Sequence, residues 1–484
     1  MTIARTNFQH LFNPRSIAVA GASAKAVAQG NRFIRGLRDF GYKGAIYPLH
    51  PSASEIEGLK AYRSLSDVPE QIDYAYLTVP ASQVLGVLAQ AEGRLRFAQI
   101  MASPDHNAGG AWAAALKDAA KDGNFRILGP NCMGTHSPRG GMTFIDGAIP
   151  EVGSVGIVCQ SGGLGMDILR RGQSLGLRFS GLVTLGNSID VSPVDLLDFY
   201  LDDDATRVVG MYVEDIKDGQ GFFKRLVRNA GRKPVVLLVG GITHQGSRAA
   251  QSHTGALAGN ARAWEALARQ TGVILTSTLD KFLDALQVCC WLNPRPLDTQ
   301  PTIMFFGNGG GTSVLAADEA ARAGFSLAAI GDDAHDALVK LKLPPGSSLG
   351  NPIDMPASVL KEESGRIARR VLEIVRCMSS PHAIVAHLNL SVIYGYRHIP
   401  GFLPNLMDSL INADKRGEGD PHTVVVARSD GRPEVEAWKR EVRAGANSAG
   451  VPVFSEIPEA VEALRNFCTY EMFLGRTIKS ASAN

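Results

Sequence analysis

The chain has 484 residues, 45% hydrophobic and 20% charged, with 49 basic against 47 acidic side chains and a formal charge of +2. At roughly 150 residues per domain, that length holds about three domains, each able to own a core. The near-balanced charge is spread along the chain, which excludes a polyanion-binding role, so no nucleic acid and no anionic membrane surface is an expected partner.

The N-terminus, MTIARTNFQHLFNPRS, lacks the uninterrupted apolar stretch of a signal peptide, and no later segment is apolar enough to span a bilayer. A cytoplasmic location is expected. The six cysteines, Cys132, Cys159, Cys289, Cys290, Cys377 and Cys468, form no CxxC pair or other metal-ligand spacing. A reduced compartment and no resident metal are the expectation.

From Ser16 onward, short apolar runs alternate with turn residues and amphipathic stretches. SIAVAGAS, AIYPLHP, DYAYLTVP, FAQIMAS and RILGPN read as buried parallel strands, with helices such as NRFIRGLRDFG and ASQVLGVLAQA between them. Apolarity that is continuous rather than alternating means that both sheet faces are covered, so residues 1–145 are expected to form a doubly wound α/β domain. After PRGGMTFIDGAIPEVGS, the runs GIVCQSGG, FSGLVTLGN, VVGMYVED and PVVLLVGG give a second α/β domain, 146–293, closed by a helix at DKFLDALQVCCWL. The Pro-rich linker LNPRPLDTQPT follows. PTIMFFGNGGG, FSLAAIG, AIVAHLNL, HTVVVARS and VPVFSEI then set a third such domain over 301–475. The second and third domains both open on a strand ending in a Gly-rich turn.

Strand one ends Val19-Ala20-Gly21-Ala22-Ser23, and a helix follows near Asn31 after Gly30. Such a turn at a helix N-terminus suits a phosphate, because unpaired amides and the helix dipole face the anion there. A simple tight βα turn is the alternative. This is not the GxGxxG of an NAD site, and the second strand ends without the acid that would hold a ribose hydroxyl.

The second domain carries a sharper set. Gln160-Ser161-Gly162-Gly163-Leu164-Gly165 opens one helix, and Ser252-His253-Thr254-Gly255-Ala256 opens another. A histidine between two helix mouths can carry a phosphoryl group whose charge both sets of amides stabilise. Taken alone, a single histidine also suits a capping or packing role; Ser252 and Thr254 can cap the helix, and Gly255 lets the backbone approach closely. Glu214 ends the strand VVGMYVED, where a carboxylate can fix an imidazole tautomer or remain an unpartnered strand-end acid.

Together VAGAS, LGPNCMG at 128–134, CQSGGLG at 159–165, LGNSIDV at 185–191, Tyr212-Val213-Glu214-Asp215 and SHTGALAG at 252–259 resemble the ADP-forming (NDP-forming) acyl-CoA synthetases, relatives of succinyl-CoA synthetase. GNGGGTSVLAADEA and Gly350-Asn351-Pro352-Ile353-Asp354 extend the resemblance through the third domain.

The resemblance implies a Rossmann-like CoA-binding domain followed by two flavodoxin-like domains. It implies that His253 is phosphorylated and Glu214 supports it, and that CoA is held by Gly21, Ser23 and Asn31, with Pro80 and Asn131 at the thioester end. Ser161, Gly162 and Gly163, with Thr254 and Gly255, would bind phosphate. The implied reaction joins a carboxylic acid and CoA at the expense of ATP, reversibly, through an acyl phosphate and a phosphohistidine. ATP/ADP and Mg would sit on an ATP-grasp β subunit in an α2β2 assembly, since this chain shows no ATP-grasp module and no GxxxxGK loop.

Two stretches depart from the family pattern. Met101-Ala102-Ser103-Pro104-Asp105-His106 replaces a loop carrying Phe and Glu, and Val239-Gly240-Gly241-Ile242 stands where relatives often place basic residues. The rival readings are a non-catalytic CoA-binding regulator, disfavoured by the intact SHTGALAG, and a fused protein acyltransferase, for which no additional domain is evident.

Overall fold

The computed structural model of the chain describes residues 7–104, 109–229, 231–248, 261–412 and 419–482. They fall into two compact units, 1–277 and 278–484.

The first unit holds two sheets. In the first, β1 (Ser16–Ala20), β2 (Ala45–Leu49), β5 (Ile72–Leu77), β6 (Leu95–Ile100) and β7 (Arg126–Leu128) are all parallel, in the order β2-β1-β5-β6-β7. A small antiparallel hairpin, β3 (Glu55–Ile56) with β4 (Leu59–Lys60), stands beside them. Every residue of β1 and β5 is buried, as strands covered by helices on both faces must be. Helix Gln29–Phe40 buries Phe33, Ile34 and Leu37 and turns its arginines outward, the 3.6-residue stripe read from the sequence.

The second sheet runs β13-β12-β11-β9-β10-β8, from β8 (Thr135–His136), β9 (Val155–Cys159), β10 (Phe179–Thr184), β11 (Val208–Val213), β12 (Val235–Val239) and β13 (Ile274–Thr276). All pairings are parallel except that of β8, which joins β10 antiparallel. That edge comes from chain preceding the second domain's first parallel strand.

Counting only the main strands, both sheets follow the doubly wound order 2-1-3-4-5. The chain reverses between β1 and β5 in one sheet and between β9 and β11 in the other. Ligands of open α/β sheets bind at those switch points, outside the carboxyl ends of the strands.

One continuous core serves both sheets. Phe12, from the N-terminal segment, stacks on Phe199 at 4.3 Å between ring centres and meets Tyr200 edge-on at 5.4 Å. Emptying a fully buried aromatic site of this kind costs about 3–5 kcal/mol. Main-chain bonds add a seam: the amides of Asn187, Ile189 and Val191 donate to the carbonyls of Pro130, Gly129 and Ile127 at 3.0, 3.1 and 3.1 Å.

The second unit is a third doubly wound sheet. Its order is β15-β14-β17-β18-β19, from β14 (Thr302–Gly307), β15 (Ser326–Leu327), β16 (Ile353–Asp354), β17 (Ala383–Asn389), β18 (His422–Arg428) and β19 (Val453–Phe454), with β16 pairing β14. Helix Leu279–Trp291, capped by the Thr278 hydroxyl, packs against the long helix Ile457–Ser482. Among the described residues, no helix is long and apolar enough to cross a membrane.

Candidate active site

At the first switch point, the turn after β1 meets the turn after β5. Thr78 donates to the Ala20 carbonyl from both its amide (2.9 Å) and its hydroxyl (3.0 Å). Gly21 turns the chain in the left-handed region at φ +98°. Gly30 lies so close to the turn that a Cβ there would sit 2.5 Å from the Ala22 nitrogen, so only glycine lets helix and turn approach.

Asn31 is 3% exposed, and its amide is fully used by the chain itself. Oδ1 accepts from the Ser23 and Ala28 amides at 2.8 and 3.1 Å, and Nδ2 donates to the Ser23 carbonyl (2.9 Å) and to Glu57 (2.8 Å). It therefore acts on the turn by shaping it. The Ser23 hydroxyl accepts the Lys25 and Ala26 amides at 3.1 and 3.2 Å. Pro80 is exposed and precedes helix Ala81–Leu88, and Asn131 is exposed after β7 with φ +58°, its amide bonded to the Ala102 carbonyl at 3.1 Å. Both stand at the carboxyl edge of the sheet.

At the second switch point, Ser161 caps helix Gly162–Ser174, its hydroxyl accepting the Leu164 amide at 3.3 Å. The Gly165 amide goes to the Ser161 carbonyl at 3.0 Å. Among the described residues, the amides of Gly162 and Gly163 have no partner, and Gly163 is exposed: the donors an anion needs are open.

Glu214 sits directly across the switch, half-buried, and accepts a 2.8 Å bond from the Tyr212 hydroxyl. Burial first and then the Glu214 charge push the Tyr212 phenol up, so it stays a donor to the carboxylate.

The residue that joins the two turns is Gln160. Its Oε1 accepts the Glu214 and Asp215 amides at 2.5 and 3.0 Å, and its Nε2 donates to the Asp215 carbonyl (3.0 Å) and the Ser188 hydroxyl (3.4 Å). Its own amide donates to the Tyr212 carbonyl at 3.1 Å. Ser188 belongs to the loop that carries the main-chain seam to Pro130, so one amide side chain ties the helix mouth, the Glu214 turn and the Asn131 side of the first sheet's carboxyl edge together. Sequence reading placed Gln160 only as the start of a Gly-rich motif. Its partner residues lie far along the chain, and no local spacing signals them. The Cys159 thiol donates to the Ser161 carbonyl at 3.0 Å, and burial pushes it up to about 12, so it stays protonated and inert.

His253, Thr254 and Gly255, with Ser252, lie outside the described residues, as do Asp105 and His106. Among the predicted residues, the structure brings together Gly21, Ser23, Asn31 and the Pro80 turn at one edge, and Ser161, Gly162, Gly163 and Glu214 at the other.

A helix-mouth turn at the switch of one doubly wound sheet, with open amides and a strand-end carboxylate at the switch of the next, marks an α/β protein built to hold anionic ligands at both switch points. Comparison with known proteins agrees. Residues 15–138 match a CoA binding domain, and residues 152–289 match the succinyl-CoA ligase like flavodoxin domain. The chain is 32% identical over 370 residues to the acetate–CoA ligase [ADP-forming] II subunit alpha of Pyrococcus furiosus, covering 75% of this chain and 79% of that one. It is 29% identical over 472 residues to the corresponding I subunit alpha, covering 95% and 96%. It is 30% identical over 374 residues to the 4-hydroxybutyrate–CoA ligase [ADP-forming] of Nitrosopumilus maritimus, spanning 75% of this chain and 52% of that relative. The acetyl-coenzyme A synthetase 1 of Ca. Korarchaeum cryptofilum, solved in complex with phosphate and ADP, superposes with a TM-score of 0.82 at 27% identity over 98% of this chain and 99% of that one.

The chain belongs to the ADP-forming acyl-CoA ligase family and is of its α-subunit type.

Proposed function

We propose that the chain is the CoA-binding, phosphoryl-carrying α subunit of an acid–CoA ligase that works with a separate ATP-grasp β subunit in an α2β2 assembly. The observation that carries the reading is the meeting of the Ser161 helix mouth and Glu214 at one switch point, fixed by Gln160. In the synthetic direction, His253 takes the γ-phosphoryl group of ATP, releasing ADP. The carboxylate substrate then attacks the phosphohistidine to give an acyl phosphate and free imidazole. The CoA thiol, losing its proton, displaces phosphate from the acyl carbon to give acyl-CoA. The open amides of Gly162 and Gly163, with Thr254 and Gly255, offset the roughly two negative charges of the phosphoryl group, and Glu214 accepts the imidazole N–H so that the other nitrogen attacks phosphorus.

CoA lies with its phosphates at Gly21–Ser23, a turn that Asn31 and Gly30 hold in shape, and its thiol end passes Pro80 and Asn131. The turn fits such a ligand because Gly30 leaves no side chain between helix and turn. Mg accompanies ATP on the partner chain. Relatives named for acetate and for 4-hydroxybutyrate support a carboxylic acid as the substrate class, and those named as α subunits support the separate partner.

The test is transfer of labelled phosphate from an acyl phosphate, or from ATP with the partner present, to the wild-type chain and to His253→Asn, Ser161→Ala and Ser252→Ala. An acid-labile, base-stable label lost only in His253→Asn is expected. Full labelling of His253→Asn, or an acid-stable label on a serine, overturns the reading.

A further inference from the structure

In the second unit, at the amino edge of the third sheet, three side chains capable of binding metal, His382, Cys468 and Glu471, converge, with His422 beside Glu471. His382 immediately precedes β17 and His422 opens β18; the two strands are paired so that His422 stands opposite Ala383. Helix Ile457–Ser482 lies over that edge and presents Cys468 and Glu471, three residues apart and so on one face. The Glu471 carboxylate has no exposed surface, and its two oxygens each approach one imidazole: Oε2 is 2.8 Å from His382 Nε2, and Oε1 is 2.8 Å from His422 Nε2. Donor atoms of His382, Cys468 and Glu471 all lie within 4.8 Å of one another. Cys468 is 1% exposed.

We propose that His382, Cys468 and Glu471 form a binding site for a divalent transition-metal ion, zinc by donor chemistry, with His422 holding the other Glu471 oxygen. An imidazole, a thiolate and a carboxylate form a nitrogen, sulfur and oxygen set that suits zinc, with a fourth position left to water; magnesium and calcium take oxygen ligands. The charges match as well, because a carboxylate and a thiolate together neutralise a doubly charged ion in a place where an unbalanced charge would be costly.

The surroundings are built to hold such a group. The Arg295 amide donates to Glu471 Oε1 at 2.9 Å, the Arg295 guanidinium holds the His382 carbonyl at 3.1 Å, and the Thr302 hydroxyl accepts the His382 amide at 3.1 Å. Such outer partners orient first ligands. A cavity of about 810 Å³ lined by Arg295, Asp420, Pro421 and His422 lies beside the cluster.

Without an ion, the side chains hold one another. As an ion binds, the Cys468 sulfur gives up its proton, because the thiolate is the form that ligates.

The experiment uses the full chain without an added histidine tag. It measures metal content by mass spectrometry after growth with zinc and passage through chelator-treated buffer, then titrates the stripped chain with cobalt(II). About one zinc per chain is expected, together with tetrahedral ligand-field bands, a thiolate-to-cobalt charge-transfer band and release of about one proton per ion. Cys468→Ser should abolish the charge-transfer band and weaken zinc retention at least about 100-fold, since even outer partners are worth 10–100-fold. The exposed Cys377→Ser should change neither. A wild-type chain that retains no zinc and gives no cobalt bands overturns the site, as does a charge-transfer band that survives Cys468→Ser. The wild-type measurements decide the matter even if a variant does not fold.

Discussion

Replacing Gln160 with leucine keeps the bulk of a side chain that is only 9% exposed while removing all four of its polar contacts. The Glu214 and Asp215 amides lose their acceptor, and the Asp215 carbonyl loses a donor. At about 1–3 kcal/mol for each buried group left unmet, the two amides alone would cost about 2–6 kcal/mol. Glu214 and Asp215 are half-buried and water can reach them, so the expected loss is at the lower end, about 2–3 kcal/mol. Because those bonds set the direction of the Glu214 carboxylate, turnover with the partner chain should fall about 100-fold. Gln160→Glu is the informative companion. It keeps an acceptor for both amides but loses the donor and puts a negative charge beside Glu214, so stability should fall less while turnover falls as far. Urea unfolding of the chain and phosphoryl transfer in the reconstituted pair measure the two quantities. A leucine variant with the wild-type midpoint and wild-type turnover would refute the assignment of Gln160 as the residue that positions Glu214.

Gly30→Ala places a methyl group against the Ala22 backbone and should weaken CoA binding at least tenfold, with a stability loss of about 1–3 kcal/mol; calorimetry and thermal melting check both. Asn31→Ala frees the Ser23 and Ala28 amides, so CoA affinity should drop while the circular dichroism spectrum is kept. Glu214→Gln should retain the fold and reduce turnover about 100-fold or more, read as acyl-CoA formation by the reconstituted pair. In the second unit, burial, then the charges of Glu459 and Asp280, raise the Asp284 carboxyl from 3.8 to about 7. A raised carboxyl binds its proton more tightly when folded, so this group costs stability as pH climbs from about 4 to about 7 and no further above that. Asp284→Asn should therefore raise the melting temperature most at pH 8, with the gain shrinking as pH falls toward 4; a pH-independent gain would contradict the burial argument.

Much of the fold was legible because fully covered parallel strands advertise themselves. SIAVAGAS became β1, and NRFIRGLRDFG became most of helix Gln29–Phe40, since its arginines and its Phe33, Ile34 and Leu37 fall on opposite faces. FSLAAIG yielded only the two-residue, exposed edge β15, where the apolar run packs beyond the strand. The antiparallel β8 was not foreseen; two residues are too few to show a period, and what holds them is the β10 edge. At the site, the helix mouth at Ser161 and the strand-end acid Glu214 could be read from local rules about helix starts and strand ends. The sequence shows Asn31 as an amide beside a turn, and only the structure shows that the turn itself uses that amide. Gln160 and the quartet around Glu471 escaped for the same reason: their partners come together only when distant strands and helices pack.

The seam between residues 127–130 and 187–191 has a consequence for how such a protein can be inherited. Its bonds run backbone to backbone, with β8 lent from one side to the other and a single aromatic core beneath. A gene cut near residue 150 would yield two pieces, each with a raw apolar face and unmet peptide groups, so the piece that grips CoA should not survive as a free-standing module once separated from the one that bears Glu214. Recombination can add or remove cassettes outside this block, but these first two sheets must travel as one.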